Sequence, residues 1–447
     1  MYDLIVIGAG PGGYEAAAHA GQMGKKVALV EKERIGGTCL NVGCIPAKAF
    51  LRSSRLYREC TEAAPFGVHV GDVTFDVPVV VERKNRIVAT LTKGVEGLLK
   101  RSGVKVVSGH ARLRARNRVE VGGELLEAEH VLLATGSRPA VPPIPGLDAE
   151  AVLDSDRVFD LTEIPDRIAI IGGGYIGLEL ATFFHEIGTK VTVFEMLPRV
   201  ASECDGDVSE RLLQSLRRSG VTFNLSCRVL TVDADGIRYQ DGSGKERRHA
   251  GGQVLNATGR TPVVQDLGLE EVGVDFSARG VRITEEGKTN LPGIWACGDV
   301  TGQHMLAHIA TREGIVAVNS MFGKRDRTRY DAMPAVIYTH PEVAMAGRTE
   351  EELKRAGIPY RKATVPMGVA GRFLIENEKG SGFVKVLVGE AHGEILGVHA
   401  AGDSCSEFIV AAGALIEMGV SASRAAEVVF PHPTVSEALR EAILQAR

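Results

Sequence analysis

Two cysteines five positions apart, Cys39 and Cys44, stand in the run Gly36-Gly37-Thr38-Cys39-Leu40-Asn41-Val42-Gly43-Cys44-Ile45-Pro46-Ala47-Lys48. A pair at this spacing can share one helical turn, close enough to make and break a disulfide. A helix start at the pair would stabilise the thiolate through the dipole and make it reactive rather than inert. The glycines ahead of it allow the backbone to approach a flat ligand. The plain alternatives are two buried structural cysteines or half of a metal site. A metal site would want a second Cys/His pair at matching spacing, and Cys60, Cys204, Cys227, Cys297 and Cys405 form none, so no metal is expected. Lys48 follows Cys44 by one helical turn, so the two project from one face. Thiol chemistry also needs a base. His432, in Phe430-Pro431-His432-Pro433-Thr434-Val435-Ser436-Glu437, is bracketed by prolines that restrict its backbone. Glu437 stands where a helix start could turn its carboxylate back to the imidazole, orienting the ring and supporting its cationic form.

The elements that must position this chemistry show as an internal repeat. Leu4-Ile5-Val6-Ile7-Gly8-Ala9-Gly10-Pro11-Gly12-Gly13 leads to Val27-Ala28-Leu29-Val30-Glu31, and Ile168-Ala169-Ile170-Ile171-Gly172-Gly173-Gly174-Tyr175-Ile176-Gly177 leads to Val191-Thr192-Val193-Phe194-Glu195. Each reads strand, glycine turn, helix, strand, acid, with the acid 23 residues after the first glycine. In such a unit the first glycine (Gly8, Gly172) makes the tight turn. The second (Gly10, Gly174) lets a pyrophosphate approach, and the third (Gly13, Gly177) lets the helix pack on the strand. The helix N-terminus then faces the anion. Glu31 and Glu195 would accept from ribose hydroxyls. Glu195 would repel a 2′-phosphate, so the second site is expected to favour NAD over NADP by at least about tenfold. Arg199, nearby, is the residue that could counter this preference.

Two strand-turn echoes, Val131-Leu132-Leu133-Ala134-Thr135-Gly136 and Val254-Leu255-Asn256-Ala257-Thr258-Gly259-Arg260, follow the two cassettes at similar distances. Pro139, Pro142, Pro143 and Pro145 read as a crossover linker, and a second linker surrounds Pro262. The first domain is therefore expected to be split into residues 1–142 and 263–330, with residues 143–262 inserted. Residues 331–447 change to short β-rich segments such as Phe383-Val384-Lys385-Val386-Leu387-Val388, followed by helical stretches from Ser406 to Met418 and Val435 to Gln445.

Composition removes other function classes. A chain of 447 residues with net charge −4 has no basic patch for nucleic acid. No apolar run reaches the roughly 18 residues of a spanning helix, and no signal peptide is visible before the strand at Asp3, so no membrane partner is expected. Seven scattered cysteines point to a reducing compartment, read as the cytoplasm. His19, His69, His110 and His392 read only as surface-loop histidines.

The cysteine run resembles the redox-disulfide signature of the flavin disulfide reductases, and Thr289-Asn290-Leu291-Pro292-Gly293-Ile294-Trp295-Ala296-Cys297-Gly298-Asp299 resembles that family's second FAD fingerprint. The resemblance covers nearly the whole chain. It implies an α/β fold with two Rossmann-like domains binding FAD and NAD, plus a C-terminal α+β dimerisation domain. It also implies that Cys39 is the outer cysteine that meets a thiol substrate, and that Cys44 lies against the flavin. Lys48 would touch the flavin near N5, paired with Glu179. Asp299 would hold the ribityl chain, with Thr135, Gly136, Gly259 and Ala307 also at the cofactors. Tyr175 resembles an aromatic gate over the nicotinamide, its plain alternative being a core tyrosine. His432 and Glu437 match an H-P-T-x-x-E element that reaches the other subunit of a homodimer.

Within the family, Met305-Leu306-Ala307-His308, Tyr338-Thr339-His340-Pro341-Glu342-Val343-Ala344 and Glu195 resemble the dihydrolipoamide branch. That branch oxidises protein-bound dihydrolipoamide to lipoamide and reduces NAD+ to NADH. Its partner would be a lipoyl-carrying protein of a 2-oxoacid dehydrogenase or glycine cleavage system. Two other readings stand beside it: a reductase of another low-molecular-weight disulfide of glutathione or coenzyme A type, and a non-catalytic flavin redox sensor. One departure is local. Phe430-Pro431 stand where many members of the branch carry His-Ala ahead of the base.

Overall fold

A computed structural model describes residues 1–378 and 380–447. β1 (Tyr2–Ile7) carries Leu4-Ile5-Val6-Ile7 buried on both faces, as a central parallel strand requires. A glycine turn leads to α1 (Pro11–Gln22), whose Ala16, Ala17 and Ala20 are buried, and then to β2 (Val27–Glu31). α2 (Gly37–Asn41), α3 (Cys44–Thr61) and the long α4 (Val77–Arg101) follow, then β3 (Lys105–Ser108). β4 (Ala111–Ala115), β5 (Arg118–Val121) and β6 (Glu124–Leu133) form an antiparallel meander. β6 is long enough to serve two ladders. Its first half pairs with β5, and its second half joins the parallel order β3-β2-β1-β6.

The chain then crosses over on β7 (Ser137–Pro139). A second parallel sheet is built from β8 (Leu153–Asp154), β9 (Arg167–Ile171), α5 (Tyr175–Glu186), β10 (Lys190–Phe194), α6 (Gly206–Ser219) and β11 (Thr222–Asn224). An antiparallel triplet, β12 (Arg228–Asp233), β13 (Gly236–Gln240) and β14 (Glu246–Ala250), precedes β15 (Gln253–Asn256), which completes the order β11-β10-β9-β15-β8. β16 (Arg260–Pro262) returns antiparallel beside β7, so the outward and inward crossings lie side by side.

The sequence repeat is a structural repeat to the level of single contacts. Gly8 and Gly172 have φ of +103° and +114°. A Cβ on Gly13 would lie 1.9 Å from Gly8 O, and one on Gly177 would lie 2.0 Å from Gly172 O. Only glycine lets each helix approach its turn this closely.

After the return come α7 (Leu269–Val272), β17 (Phe276–Ser277), β18 (Gly280–Val281) and β19 (Ile294–Ala296), which pairs parallel with β6 on the first sheet. α8 (Ala307–Met321) packs directly on α1. His19 lies on α1 at this contact, with a ring nitrogen 2.9 Å from Asn319 Oδ1, which corrects its reading as a surface-loop residue. The last part contains β20 (Pro334–Ile337), β21 (Val343–Gly347), α9 (Glu350–Ala356), β22 (Tyr360–Pro366), α10 (Gly371–Glu376), β23 (Phe383–Gly389) and β24 (Ile395–Ala401). These strands make one antiparallel sheet in the order β20-β21-β24-β23-β22, with every residue of β23 buried. α11 (Cys405–Glu417), α12 (Ala422–Ala425) and α13 (Glu437–Ala446) complete it, and their apolar faces join one core with the sheet. The architecture is thus two dinucleotide-type α/β domains and a separate α+β domain, as expected.

Candidate active site

The three parts enclose a cavity of about 2130 Å³. A single-ligand pocket is ordinarily about 300–1,000 Å³, so this one has room for more than one ligand. Its walls take Gly8, Gly10, Glu31, Thr135, Gly136, Asp299 and Ala307 from around the first sheet, and Gly174, Tyr175, Glu179 and Gly259 from around the second. Cys39, Cys44 and Lys48 also line it. Gly13, Gly172, Gly177 and Glu195 are not in the wall; they shape or terminate the two turn units behind it.

The cysteines are joined as a disulfide with Cα atoms 4.7 Å apart. They do not share a helical turn. Cys39 is in α2 and Cys44 is the first residue of α3, because the chain breaks at Gly43 with φ −129° and ψ −110°. A Cβ at Gly43 would lie 3.0 Å from Thr38 O, so glycine makes the break without crowding that carbonyl. The break places Cys44 on the first turn of an 18-residue helix, where the dipole favours a thiolate.

One turn further along α3, Lys48 Nζ donates to both oxygens of Glu179, at 3.0 and 2.8 Å. Glu179 is nearly buried, on α5 behind the second glycine turn. The backbone N–H of Tyr338 donates to Glu179 Oε1 at 3.0 Å, and the Lys48 ammonium sits 4.4 Å from the Tyr338 ring centroid. Tyr338 belongs to the segment after β20, so one ion pair ties together the cysteine helix, the second domain and the third.

The two turns fit dinucleotides. Gly10 and Gly174 cap α1 and α5 without any side-chain hydrogen bond, leaving first-turn N–H groups open to an anion. A Cβ at either position would meet no protein atom within 4 Å, which is the open space a pyrophosphate would use. Glu31 accepts from Ala9 N at 2.7 Å and Glu33 N at 2.8 Å. Glu195 accepts from Gly173 N at 2.6 Å and Leu197 N at 2.7 Å. Each carboxylate oxygen keeps a lone pair for a ribose hydroxyl. Asp299 accepts from the Ser137 hydroxyl at 2.5 Å. Burial pushes its carboxyl upward, against the Ser137 hydrogen bond and the charge of Arg260. Arg260 itself bridges Ser137 to Asp156, at 2.8 and 3.0 Å. Tyr175 heads α5, and burial raises its hydroxyl, with Cys204 and Glu203 beside it adding to the effect. Ala307 is the first residue of α8, whose N-cap also lacks a side-chain bond.

Ser137, Arg260, Tyr338 and Glu313 were not singled out from the sequence. Glu313 had a legible signal: it is an acid on the apolar stripe Ile309-Glu313-Ala317 of α8. Its Oε2 accepts from Gly298 N at 2.6 Å, fixing the turn that carries Asp299. Its Oε1 accepts from Tyr330 Oη at 2.7 Å, and the His304 ring stacks on Tyr330 with centroids 4.7 Å apart. Burial raises the Glu313 carboxyl from 4.5 to about 7. Between those values the folded chain holds a proton that the unfolded chain has lost, so unfolding free energy falls as pH rises. The proton's contribution, on the order of 3 kcal/mol, is fully present below pH 4.5 and lost by passage through pH 7. Glu313→Gln should therefore remove a fall in melting temperature that the unaltered protein shows between pH 5 and 8. Parallel melting profiles would show that Glu313 does not titrate in that window.

His432 and Glu437 are bonded to each other, Nδ1 to Oε1, at 2.9 Å. Thr434 N donates to Glu437 Oε2 at 3.0 Å. The His432 hydrogen bond, more than any other cause, holds the Glu437 carboxyl below its usual range. The structure does not bring this pair to the cysteines of its own chain. Neither residue lines the cavity, and the His432 side chain is 77% exposed.

The geometry combines a disulfide, an ion pair beside it and two dinucleotide turns around one cavity. The family described as pyridine nucleotide-disulphide oxidoreductase matches residues 2–314, and its dimerisation domain matches residues 333–443. The chain is 41% identical to dihydrolipoyl dehydrogenase 3 of Pseudomonas aeruginosa, over 99% of this chain and 97% of that protein. It is 38% identical to mitochondrial dihydrolipoyl dehydrogenase 1 of Arabidopsis thaliana, over 99% and 90% respectively. The crystal structure of LpdA from Mycobacterium tuberculosis superposes with a TM-score of 0.91 at 26% identity, covering 99% of each chain. With both matched regions together spanning nearly all of its length, the chain belongs to the pyridine nucleotide-disulphide oxidoreductase family.

Proposed function

We propose that this chain is a dihydrolipoyl dehydrogenase, which oxidises protein-bound dihydrolipoamide to lipoamide and reduces NAD+ to NADH. The observation that carries the reading is the Cys39–Cys44 disulfide in the wall of a cavity that also holds both glycine turns. The 41% identical relative named for this activity supports it. FAD, when bound, supplies the two-electron link between the dithiol and NAD+. The first turn, Glu31, Thr135, Gly136, Asp299 and Ala307 would hold it, and the second turn with Tyr175, Glu195 and Gly259 would hold NAD.

The chain's own residues carry out the thiol interchange. A substrate thiolate attacks Cys39 Sγ, the Cys39–Cys44 bond breaks, and the electron pair leaves on Cys44 as thiolate. The second substrate thiol loses its proton to an imidazole and attacks the substrate sulfur of the mixed disulfide, releasing Cys39 thiolate and cyclic lipoamide. The helix dipole and the nearby Lys48 ammonium favour the Cys44 thiolate, and Glu179 holds that ammonium in place. The base is His432 of the partner subunit, oriented by its Glu437. Its exposure and its absence from the cavity of its own chain support delivery across a homodimer.

The proposed domain division is residues 1–142 and 263–330 for FAD, 143–262 for NAD, and 331–447 for dimerisation, and the side-by-side crossings at β7 and β16 support the insertion of the second domain. Among the described residues no helix is long and apolar enough to cross a membrane. The cytoplasm is the proposed compartment, and a lipoyl-carrying protein of a 2-oxoacid dehydrogenase or glycine cleavage system the proposed partner.

A steady-state screen tests the reading. Dihydrolipoamide with NAD+ should give the highest kcat/KM, and glutathione disulfide or coenzyme A disulfide with either reduced nicotinamide should give little. Preference for one of those disulfides would transfer the assignment to it. Flavin reduction by NADH without turnover on any disulfide would make the protein a sensor.

A further inference from the structure

Coenzyme choice in a glycine-turn unit is made where the acid ending the second strand meets the adenosine ribose. Here that acid is Glu195, fixed by the backbone N–H groups of Gly173 and Leu197. The chain after it returns at once, because Ala201 N donates to Gly173 O at 2.8 Å. The loop between Glu195 and Ala201 is therefore pinned at both ends to Gly173, in the turn whose acid would meet the ribose. It carries one cation, Arg199. A guanidinium at this place is the group that a 2′-phosphate would engage, through bidentate charge-assisted hydrogen bonds.

That guanidinium is already occupied. Arg199 Nη1 bonds Glu351 Oε1, Nη2 bonds Glu351 Oε2 at 2.8 Å, and Nη2 also donates to Ser202 O at 2.8 Å. Glu351 comes from a different domain, the first turn of α9. It is held there by a capping box in which Thr349 N donates to Glu352 at 2.9 Å and Glu352 N donates to Thr349 at 3.1 Å. The start of α6 closes one flank: a Cβ at Gly206 would lie 3.4 Å from Glu351 Oε1 and 3.5 Å from Arg199 Nη1.

We infer that Glu351 is a coenzyme-specificity residue, which by pairing with Arg199 from the third domain withholds a guanidinium that would otherwise accept a 2′-phosphorylated adenosine. Glu195 repels the phosphate, and Glu351 removes its partner. The Arg199 hydrogen bonds hold the Glu351 carboxyl below its usual range, so the pair stays ionised at neutral pH. The inference rests on the assignment of the second glycine turn to NAD.

Calorimetric titration of the FAD-loaded protein with 2′,5′-ADP and with 5′-AMP tests it. Glu351→Gln should tighten 2′,5′-ADP binding by roughly five- to twentyfold and leave 5′-AMP within about twofold. The double variant Glu351→Gln/Arg199→Ala should lose that gain, because the freed guanidinium is gone. Rapid-mixing flavin reduction by NADPH should follow the same order. Glu351→Ala replaces the amide variant if the latter loses FAD. Binding of 5′-AMP with no gain for 2′,5′-ADP, or a gain that survives in the double variant, would overturn the inference alone. Failure of the unaltered protein to bind 5′-AMP would overturn the NAD assignment and the inference with it.

Discussion

Cys39→Ser and Cys44→Ser should each lower lipoamide reduction by NADH by at least about a thousandfold, while NADH still reduces the bound flavin. A serine hydroxyl does not ionise near neutral pH and forms no bond to the substrate sulfur, so neither variant can complete the interchange. The two losses arise at different steps. Without Cys39 there is no outer thiolate to attack the lipoamide disulfide. Without Cys44 no thiolate remains on the dipole-stabilised first turn of α3 to attack Cys39 Sγ of the mixed disulfide and release dihydrolipoamide. A reductive titration separates this from unfolding. The unaltered protein should take up two more electron equivalents per chain than either variant, because the disulfide accepts one pair and the flavin another. FAD content should be unchanged, since neither thiol is needed by the glycine cradle. If either single variant turned over lipoamide at the unaltered rate, the disulfide would not be the electron path.

His432→Ala should cut dihydrolipoamide oxidation by roughly a hundred- to ten-thousandfold, the usual contribution of a general base. FAD content and flavin reduction by NADH should hardly change, because the imidazole lies outside the cavity of its own chain. Glu437→Gln should lose less. The amide oxygen can still accept the hydrogen bond now made at 2.9 Å, while the variant gives up the bond from Thr434 N and the charge that favours imidazolium. The arrangement across subunits has its own readout. Mixing inactive His432→Ala chains with inactive Cys39→Ser chains should restore activity, since each mixed dimer holds one intact site. With mixed dimers confirmed by tandem-tag purification, no restoration would mean that the base acts within its own chain or that His432 is not the base.

The parts of this protein legible without a structure are those written in neighbouring residues. The strand-turn-helix units around Gly8 and Gly172 show in sequence because each closes within about thirty residues, and backbone clearance leaves glycine as the only residue that fits. The closely spaced cysteines and the His432–Glu437 pair are local in the same sense. Even there, local spacing misjudged one detail. A five-residue interval permits a shared helical turn, but the chain breaks at Gly43, and the break is what puts Cys44 on a helix start. Likewise His19 lies in an alanine-rich stretch that by itself says little, and only the close approach of α8 to α1 gives its ring the partner Asn319.

Pairings set by domain docking had no local trace. The Lys48–Glu179 contact spans 131 residues and was expected only from a family resemblance. Ser137–Asp299, 162 residues apart, Tyr338 N to Glu179, 159 apart, and Arg199–Glu351, 152 apart, were not anticipated at all. The physical reason is common to them. Hydrophobic period, capping and turn chemistry act between residues a few positions apart, and so mark an element from within. Which side chains meet across the cavity depends on how the three domains are oriented, and that orientation follows from the crossings at β7 and β16 and from a buried core drawn from all three. The two dinucleotide units, the thiol pair and the His432–Glu437 pair are written in local sequence. Tertiary contacts place the thiols in one cavity with both units, leave the His432–Glu437 pair outside that cavity in its own chain, and hold Arg199, four residues after Glu195, with an acid from another domain.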